Sequence, residues 1–578
     1  MHFIKRMLFV FSAILISNCL IAQGGMQWFK DGTSYSRVEE GQIVKYVLPS
    51  NTKTVIVSKD KLIPKGQTAA LPIRSFVFSE DGQKVLIFAN SKKVWRYQTR
   101  GDYWLLNLSN NSLYQIGKNR PASSLMFAKF SPDGKLVAYV SDYNLYYELT
   151  DEPVVPKQLT FDGNRKFING TFDWAYEEEF FCRDGFRWSP DSKKIAFWQI
   201  DARNTKDYLM VNNTDSIYPF VVPVEYPIAG EKPSPFKIGV INIPTAETKW
   251  MNIPTDPVLG SYVPRMEWAA NSNEVIIQHL NRRQNTSDVM LCNVVTGESK
   301  TIFHETDSAW IDILALWDAD YSNGGWEWLN NGKEFIWASE KDGWRHVYRI
   351  SREGKETLIT VGNYDVIDIA AINEKAGFIY FFASPENATQ KYLYRIKLDG
   401  KGKAEKLSPA NQPGTHDYNV SPTGQFAMHS FTNHYLRSVN EWVSLPDHKG
   451  LNGENKVNDA IAKADMKSSS VEFLKIKTAD GVEMDAWMVK PSNFDQSKKY
   501  PVVFFVYTEP WGQEVKDRFG IANNFLYQGD MAKDGYIYMS IDNRGTPVPK
   551  GRAWRKSVHR KIGIVNIRDQ AMAAKEIM

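Results

Sequence analysis

The segment FDWAYEEEF, residues 172–180, gathers Asp173, Glu177, Glu178 and Glu179 without one basic residue, bracketed by Trp174, Tyr176 and Phe180. On a strand, adjacent side chains point to opposite faces, but on a helical turn they diverge by only ~100°, so a helix here lets Glu178 and Glu179 line one cleft. Two such carboxylates suit an ammonium group held by charge-assisted hydrogen bonds. The aromatic neighbours supply a packing face, which sets this run apart from a solvated acidic turn. The nine histidines form no H-E-x-x-H pattern and no close His/acid group in sequence, so neither a metal nor a cofactor is expected. His429 and His434, five apart in an aromatic stretch, read as hydrogen-bonded structural residues. Cys182 and Cys292 lack C-x-x-C spacing and are compatible with one disulfide or with two buried thiols.

An acidic cluster of this kind needs a rigid frame, and the repeats provide one. An aromatic or apolar residue followed by Ser-Pro-Asp-Gly or a relative, then a β-rich run, recurs as FVFSEDGQKVLIF, FAKFSPDGKLVAY, FRWSPDSKKIAF and NVSPTGQFAMHS, with degenerate copies MEWAANSNEVII, WEWLNNGKEFIW and AINEKAGFIYFF. Asp-Gly and Asn-Gly accept positive φ cheaply, so each copy marks a strand–turn–strand. The turn positions 79, 131, 189, 269, 329, 372 and 421 are spaced by 43 to 80 residues, which brackets the ~40–50 residues of a four-stranded propeller blade lengthened by insertions. The stretch 26–58 reads as one more blade. The expected fold is therefore mainly β, an eight-bladed β-propeller over 23–455, with polar insertions such as 202–235 projecting from a rim.

Near residue 470 the character changes. A polar linker is expected at 456–470, then strands at 471–476, 483–490, 500–507 and 536–541, and a helix over 565–578 with Ile567, Ala571, Ala574 and Met578 on one face. Strands followed by a helix predict the N-terminal part of an α/β-hydrolase domain over 471–578.

Composition narrows the class further. Apolar residues at 43% and charged residues at 24% exclude a disordered chain and a polytopic membrane protein. Seventy basic against 66 acidic side chains leave +4, mixed along the chain, so nucleic acid is not an expected partner. Residues 1–22 carry Lys5 and Arg6, an apolar run to Ile16 and Ala22 before Gln23, which predicts a signal peptide and an exported, periplasmic or extracellular protein. An uncleaved membrane anchor, or a lipid on Cys19, is the weaker reading.

With its D-W-x-Y-E-E-E segment, SEKDGWRHVYRI from Ser339 and DNRGTPVPKGRAWR from Asp542, the chain resembles the dipeptidyl peptidase IV-like members of the prolyl oligopeptidase family of serine peptidases over essentially all of 26–578. That resemblance implies that Glu178 and Glu179 bind the free amino terminus of a peptide and that Arg120 contacts its backbone carbonyl. It also implies that the Tyr507 hydroxyl helps form an oxyanion hole. A phenolic donor at the carboxyl end of a sheet strand suits that role, although Thr508 and Glu509 replace the family's small residues there. The implied activity is release of N-terminal dipeptides, Xaa-Pro or Xaa-Ala, from peptide substrates, in an enzyme that is often a homodimer.

Such hydrolases carry their serine in a G-x-S-x-G elbow followed by Asp and His, and this sequence contains no such elbow. A fragment ending before the nucleophile, inactive by itself, is the expectation. His559 and Asp569 precede the place of the elbow and are not triad members. Two other readings stand beside the peptidase: a related aminopeptidase of the same family, and a non-catalytic propeller that binds peptides or a protein partner.

Overall fold

The computed structural model describes residues 25–151, 155–313, 326–466, 469–525 and 527–578; the leader expected at 1–22 lies outside them. Eight antiparallel units follow one another along 27–57, 75–116, 125–158, 167–250, 261–306, 328–358, 366–406 and 415–450, giving the eight blades of a propeller; each has four strands except the fourth, which has five because two short strands, Phe167–Asn169 and Phe186–Trp188, share the partner Lys194–Asp201. The second and third merge into one continuous sheet because Arg100 and Gly101 pair with Met126 and Leu125.

The repeated turn works the same way in each clear copy. Ser131 donates to Asp133 at 2.6 Å and accepts the Leu136 amide at 3.0 Å, while Gly134 closes the turn at φ +68°. Turns are also tied from blade to blade: the amides of Asp133 and Asp191 donate to Ser192 and Ser272 of the next copy, each at 3.0 Å. Local turn chemistry thus fixes both the hairpin and its neighbour.

Apolar clusters lie between each successive pair of blades. Between the fourth and fifth, for instance, Trp198 and Ile238 pack on Val263 and Met266. The last junction closes the ring, with Tyr35, Val44 and Tyr46 of the first blade against Trp442 of the eighth. All four strands of the first blade come from 27–57, so closure rests on side chains rather than a shared sheet. Tyr35 stacks on Trp442 at 4.6 Å, and Trp28 donates to Asn419 at 2.8 Å.

The insertion at 202–235 carries a separate two-stranded hairpin, Asp207–Asn212 with Phe220–Glu225. Contrary to its expected polar character, it exposes Tyr208, Leu209, Val211 and Tyr218.

The polar stretch expected as a linker contains the helix Lys456–Lys463, anchored where Val457 is buried and its amide donates to Glu441 at 3.1 Å. Beyond it, Val471–Lys477, Glu483–Val489, Ile537–Ile541 and Val502–Phe504 lie in that spatial order, the last pair parallel and the others antiparallel. The final helix, Val565–Ile577, does not bury the expected face. Val565, Asn566, Asp569 and Ala573 point inward, while Ile567 and Met578 are exposed. The reason is electrostatic: Arg544 reaches Asp569 through two side-chain hydrogen bonds of 2.9 and 2.6 Å and turns that edge of the helix toward the sheet.

Candidate active-site cleft

The acidic segment forms the helix Trp174–Phe180. Asp173 caps it by accepting the Tyr176 amide at 3.1 Å, and its other oxygen accepts the Ser234 hydroxyl at 2.6 Å. Tyr176 and Phe180 sink into the cluster between the fourth and fifth blades, and the Tyr176 hydroxyl accepts the Val263 amide at 3.2 Å. With the aromatic face anchored there, Glu177, Glu178 and Glu179 all reach one cavity of about 490 Å³. Tyr507, Glu509 and Trp511 of the α/β region line its opposite side, and Trp511 meets Phe181 edge-on at 5.8 Å.

The cation of this cleft is Arg96. Its Nε and Nη2 bind the two oxygens of Glu178 at 2.7 and 2.5 Å, and Trp95 Nε1 adds a third bond at 2.6 Å. Arg120, expected here from the family resemblance, does not line the cavity. It bonds Ser141 at 3.0 Å, pairs with Asp142 and lies 4.8 Å over the Tyr146 ring, so its charge is spent within the third blade. The signal for Arg96 was the triplet Trp-Arg-Tyr at 95–97, an arginine between aromatics where the flanking strands lose register between Ala89 and Lys92.

The three glutamates differ because their surroundings differ. Hydrogen bonding to Arg96 holds Glu178 below the usual carboxylate range. Burial, then the Glu178 charge, pushes Glu179 up, and no hydrogen bond to its carboxylate is formed among the described residues. Burial pushes Glu177 up to about 7, against the pull of Arg183. Four carboxyl groups, Glu509 among them, line the cavity with one guanidinium and leave the cleft able to take a further cation.

Tyr507 is 46% exposed at the mouth of the cleft. The loop after it folds back so closely that a Cβ on Gly512 would lie 2.3 Å from the Tyr507 ring. Thr508 adopts φ +65° and accepts Asn566 of the final helix at 3.3 Å. The substitutions at 508 and 509 therefore still produce a loop tied to the helix. Asp569 is fully buried on Arg544, and His559 lies 6.0 Å from Trp310, so neither faces this cleft.

Elsewhere the fold gathers what sequence spacing did not. His429, Glu441 and His448 place possible ligand atoms within 4.8 Å of one another, a His/acid group built from different strands and turns of the eighth blade. Its polar atoms already have partners: His429 meets Glu441 at 3.0 Å and His416 at 2.9 Å, and His448 meets Tyr418 at 2.8 Å. His434 binds Asp517 at 2.8 Å. Cys182 and Cys292 are free thiols.

An eight-bladed propeller facing the first strands of an α/β-hydrolase sheet, with an acidic helix and a tyrosine meeting between them, is the plan of a propeller peptidase. The chain belongs to the family described as the dipeptidyl peptidase IV (DPP IV) N-terminal region, which matches residues 79–437. It is 27% identical over 562 residues to dipeptidyl peptidase 4 of Trichophyton rubrum, covering 95% of this chain and 70% of the relative. Dipeptidyl peptidase 4 of Arthroderma otae is 26% identical over 562 residues, with 95% and 70% covered. Among solved structures, Porphyromonas gingivalis dipeptidyl peptidase 4 superposes with a TM-score of 0.84 at 27% identity, over 96% of this chain and 76% of that one.

Proposed function

We propose that this chain is the propeller and first hydrolase portion of an exported serine exopeptidase that releases Xaa-Pro or Xaa-Ala dipeptides from peptides with a free amino terminus. One observation carries the reading: a single cleft brings the acidic helix of the propeller against Tyr507 of the α/β region. The substrate ammonium would sit on Glu179 and share Glu178 with Arg96, an assignment supported by the excess of negative charge there. Arg96, not Arg120, is the cation within reach of a bound peptide's carbonyl. Tyr507 would donate its hydroxyl to the oxyanion as a serine attacks the carbonyl, with a histidine taking the serine proton and returning it to the leaving amine.

Binding tests the reading directly. A fluorescent peptide beginning Gly-Pro should bind the chain, and N-acetylation should weaken it at least tenfold. Equal binding of the free and acetylated peptides would remove the exopeptidase assignment.

The protein is further proposed to act as a homodimer, joined through the hairpin 207–225. Leu209 and Val211 are 61% and 68% exposed on a two-stranded sheet that pairs with no other strand among the described residues, and a second copy would cover them.

A further inference from the structure

A second cavity, of about 840 Å³, has the opposite charge. Lys232, Arg282, Arg283, His559 and Arg560 line it, with Glu231 as its one carboxylate among the described residues. Acids near its wall are already committed. Glu231 faces Lys206 at 3.3 Å, Asp256 accepts the Val258 and Leu259 amides at 2.8 and 2.9 Å, and Asp307 is taken by Arg552 and Lys556. Among the described residues, Arg282 donates only to the Glu231 carbonyl at 3.1 Å, and Lys232 to the Pro257 carbonyl at 3.5 Å. Among the described residues, none of Lys232, Arg282, Arg283 and Arg560 has a carboxylate in ion-pair contact. Cations crowded around one cavity repel each other, and an anion placed among them relieves that repulsion.

Its position says which anion. Tyr262 packs edge-on against Phe180 of the acidic helix at 5.0 Å, and the Arg282 guanidinium lies 5.9 Å from the same ring. One aromatic side chain therefore separates the acidic helix from the basic cavity, a thickness spanned by about three residues of extended chain. The cavity is far larger than an inorganic anion needs, and Val258 and Leu259 give it an exposed apolar rim.

We propose that this basic cavity receives the acidic downstream part of a peptide whose amino terminus is held at Glu178 and Glu179. The inference rests on the amine-binding reading above and adds to it a substrate class: peptides positive at the amino end and negative a few residues on. Complementary charge at both ends would favour one direction of threading and raise the rate of encounter.

Two labelled peptides, Gly-Pro-Ser-Gly followed by three glutamates or by three lysines, decide the matter by fluorescence anisotropy on the 578-residue chain. The acidic tail should bind at least tenfold more tightly in 50 mM NaCl, and this advantage should shrink severalfold in 500 mM NaCl. In the double variant Arg282→Gln/Arg283→Gln, with its thermal transition retained, the acidic-tailed peptide should fall to the level of the lysine-tailed one. Equal affinity for the two tails, or an advantage that survives the double variant, would overturn the proposal. Should the variant not fold, the tail and salt comparison on the unaltered chain decides. N-acetylation separates this inference from the one beneath it. If acetylation costs nothing while the tail advantage persists, the amine site is wrong and the tail's role in the basic cavity is kept; if acetylation weakens binding and the tails are equivalent, only the present proposal falls.

Discussion

Arg555 donates to both oxygens of Asp365, at 2.6 and 2.9 Å, across 190 residues of chain and across the junction between propeller and α/β region. The same guanidinium binds Glu340, and Lys556 joins Asp307 to Glu340 at 2.8 and 2.9 Å. The backbone takes part as well, since the Arg552 amide donates to Gly343 at 2.9 Å and the Gly551 amide to Asp365 at 2.7 Å. The two stretches SEKDGWRHVYRI and DNRGTPVPKGRAWR are therefore opposite halves of one buried ionic joint. By clamping the α/β region to the propeller, the joint helps keep Tyr507 over the acidic helix.

Replacing Arg555 with Met takes the guanidinium away from two buried carboxylates, leaving Glu340 to Lys556 and Asp365 to the backbone amides of Gly551 and Arg345. Removing one partner of a buried pair costs about 3–5 kcal/mol, so urea unfolding of Arg555→Met should show a loss of that order at pH 7. The joint also predicts acid lability. Despite burial, which acts the other way, Arg555 and Lys556 hold Glu340 at about 2, and Arg552 and Lys556 hold Asp307 at about 2. Both values lie below those of the unfolded chain, so their contribution is complete above about pH 5 and lost as pH falls toward 2. Unfolding free energies at pH 7, 4 and 3 should decline accordingly, less steeply in Arg555→Met; parallel declines would place the acid sensitivity elsewhere.

Glu177 has the opposite sign. Its pKa, pushed by burial to about 7, lies above the unfolded value, so its ionisation destabilises the fold as pH rises from about 4 through 7. Glu177→Gln should therefore be more stable than the unaltered chain at pH 8, by about 1–3 kcal/mol, and nearly equal to it at pH 4. A thermal melt at each pH distinguishes this from a uniform effect of the substitution.

The two glutamates of the cleft should respond unequally. Glu179→Gln removes charge from a carboxylate with no hydrogen-bond partner among the described residues, whereas Glu178→Gln also breaks the fork to Arg96. In the complete enzyme each should lower kcat/KM by roughly 30- to 1,000-fold, equivalent to ~2–4 kcal/mol, with Glu178→Gln the more severe. Acetylating the substrate should add little further loss in the double Gln variant, because both changes delete the same contact. Fully additive losses in a folded variant would mean that the cluster serves only the propeller.

Arg96 and Arg120 make a matched pair of tests. Arg96→Lys keeps the charge but cannot fork onto both Glu178 oxygens, so binding of a free-amine peptide should weaken about tenfold. Arg120→Gln, in a different blade contact, should leave peptide affinity within twofold. The reverse ranking in titrations of the folded proteins would restore the assignment that the family resemblance implied.

The hairpin prediction is read from mass. Leu209→Asp with Val211→Asp places charge on the exposed apolar strand, and sedimentation equilibrium should shift from dimer to monomer without change in the thermal transition of the propeller. A dimer that persists would put the contact on another surface.

Much of the fold was legible because its information is local. The Ser-x-Asp-Gly turns satisfy their own backbone groups within six residues, so together with their degenerate relatives, seven copies in all, they announced blades before any long-range pairing was known. The helix at Trp174–Phe180 was readable for a similar reason, its Asp173 cap and its aromatic face being encoded in one turn of sequence. Where readings failed, a distant partner had intervened. Arg544 rotated the last helix to bury Asp569, and Glu441 drew the supposed linker into a helix by accepting the Val457 amide.

The sequence by itself determined a ring of β-hairpins, an acidic helix able to hold an amine and the start of an α/β sheet. Only the tertiary structure decided that Arg96, 82 residues from Glu178, completes the acidic site, that Tyr507 faces it, and that four cations with no carboxylate partner among the described residues share a cavity one tyrosine away. The physical reason is range. Turns and caps are closed by neighbours a few residues apart, whereas a charged site is defined by every charge within several ångströms, and in a propeller those charges come from different blades brought side by side by closure of the ring.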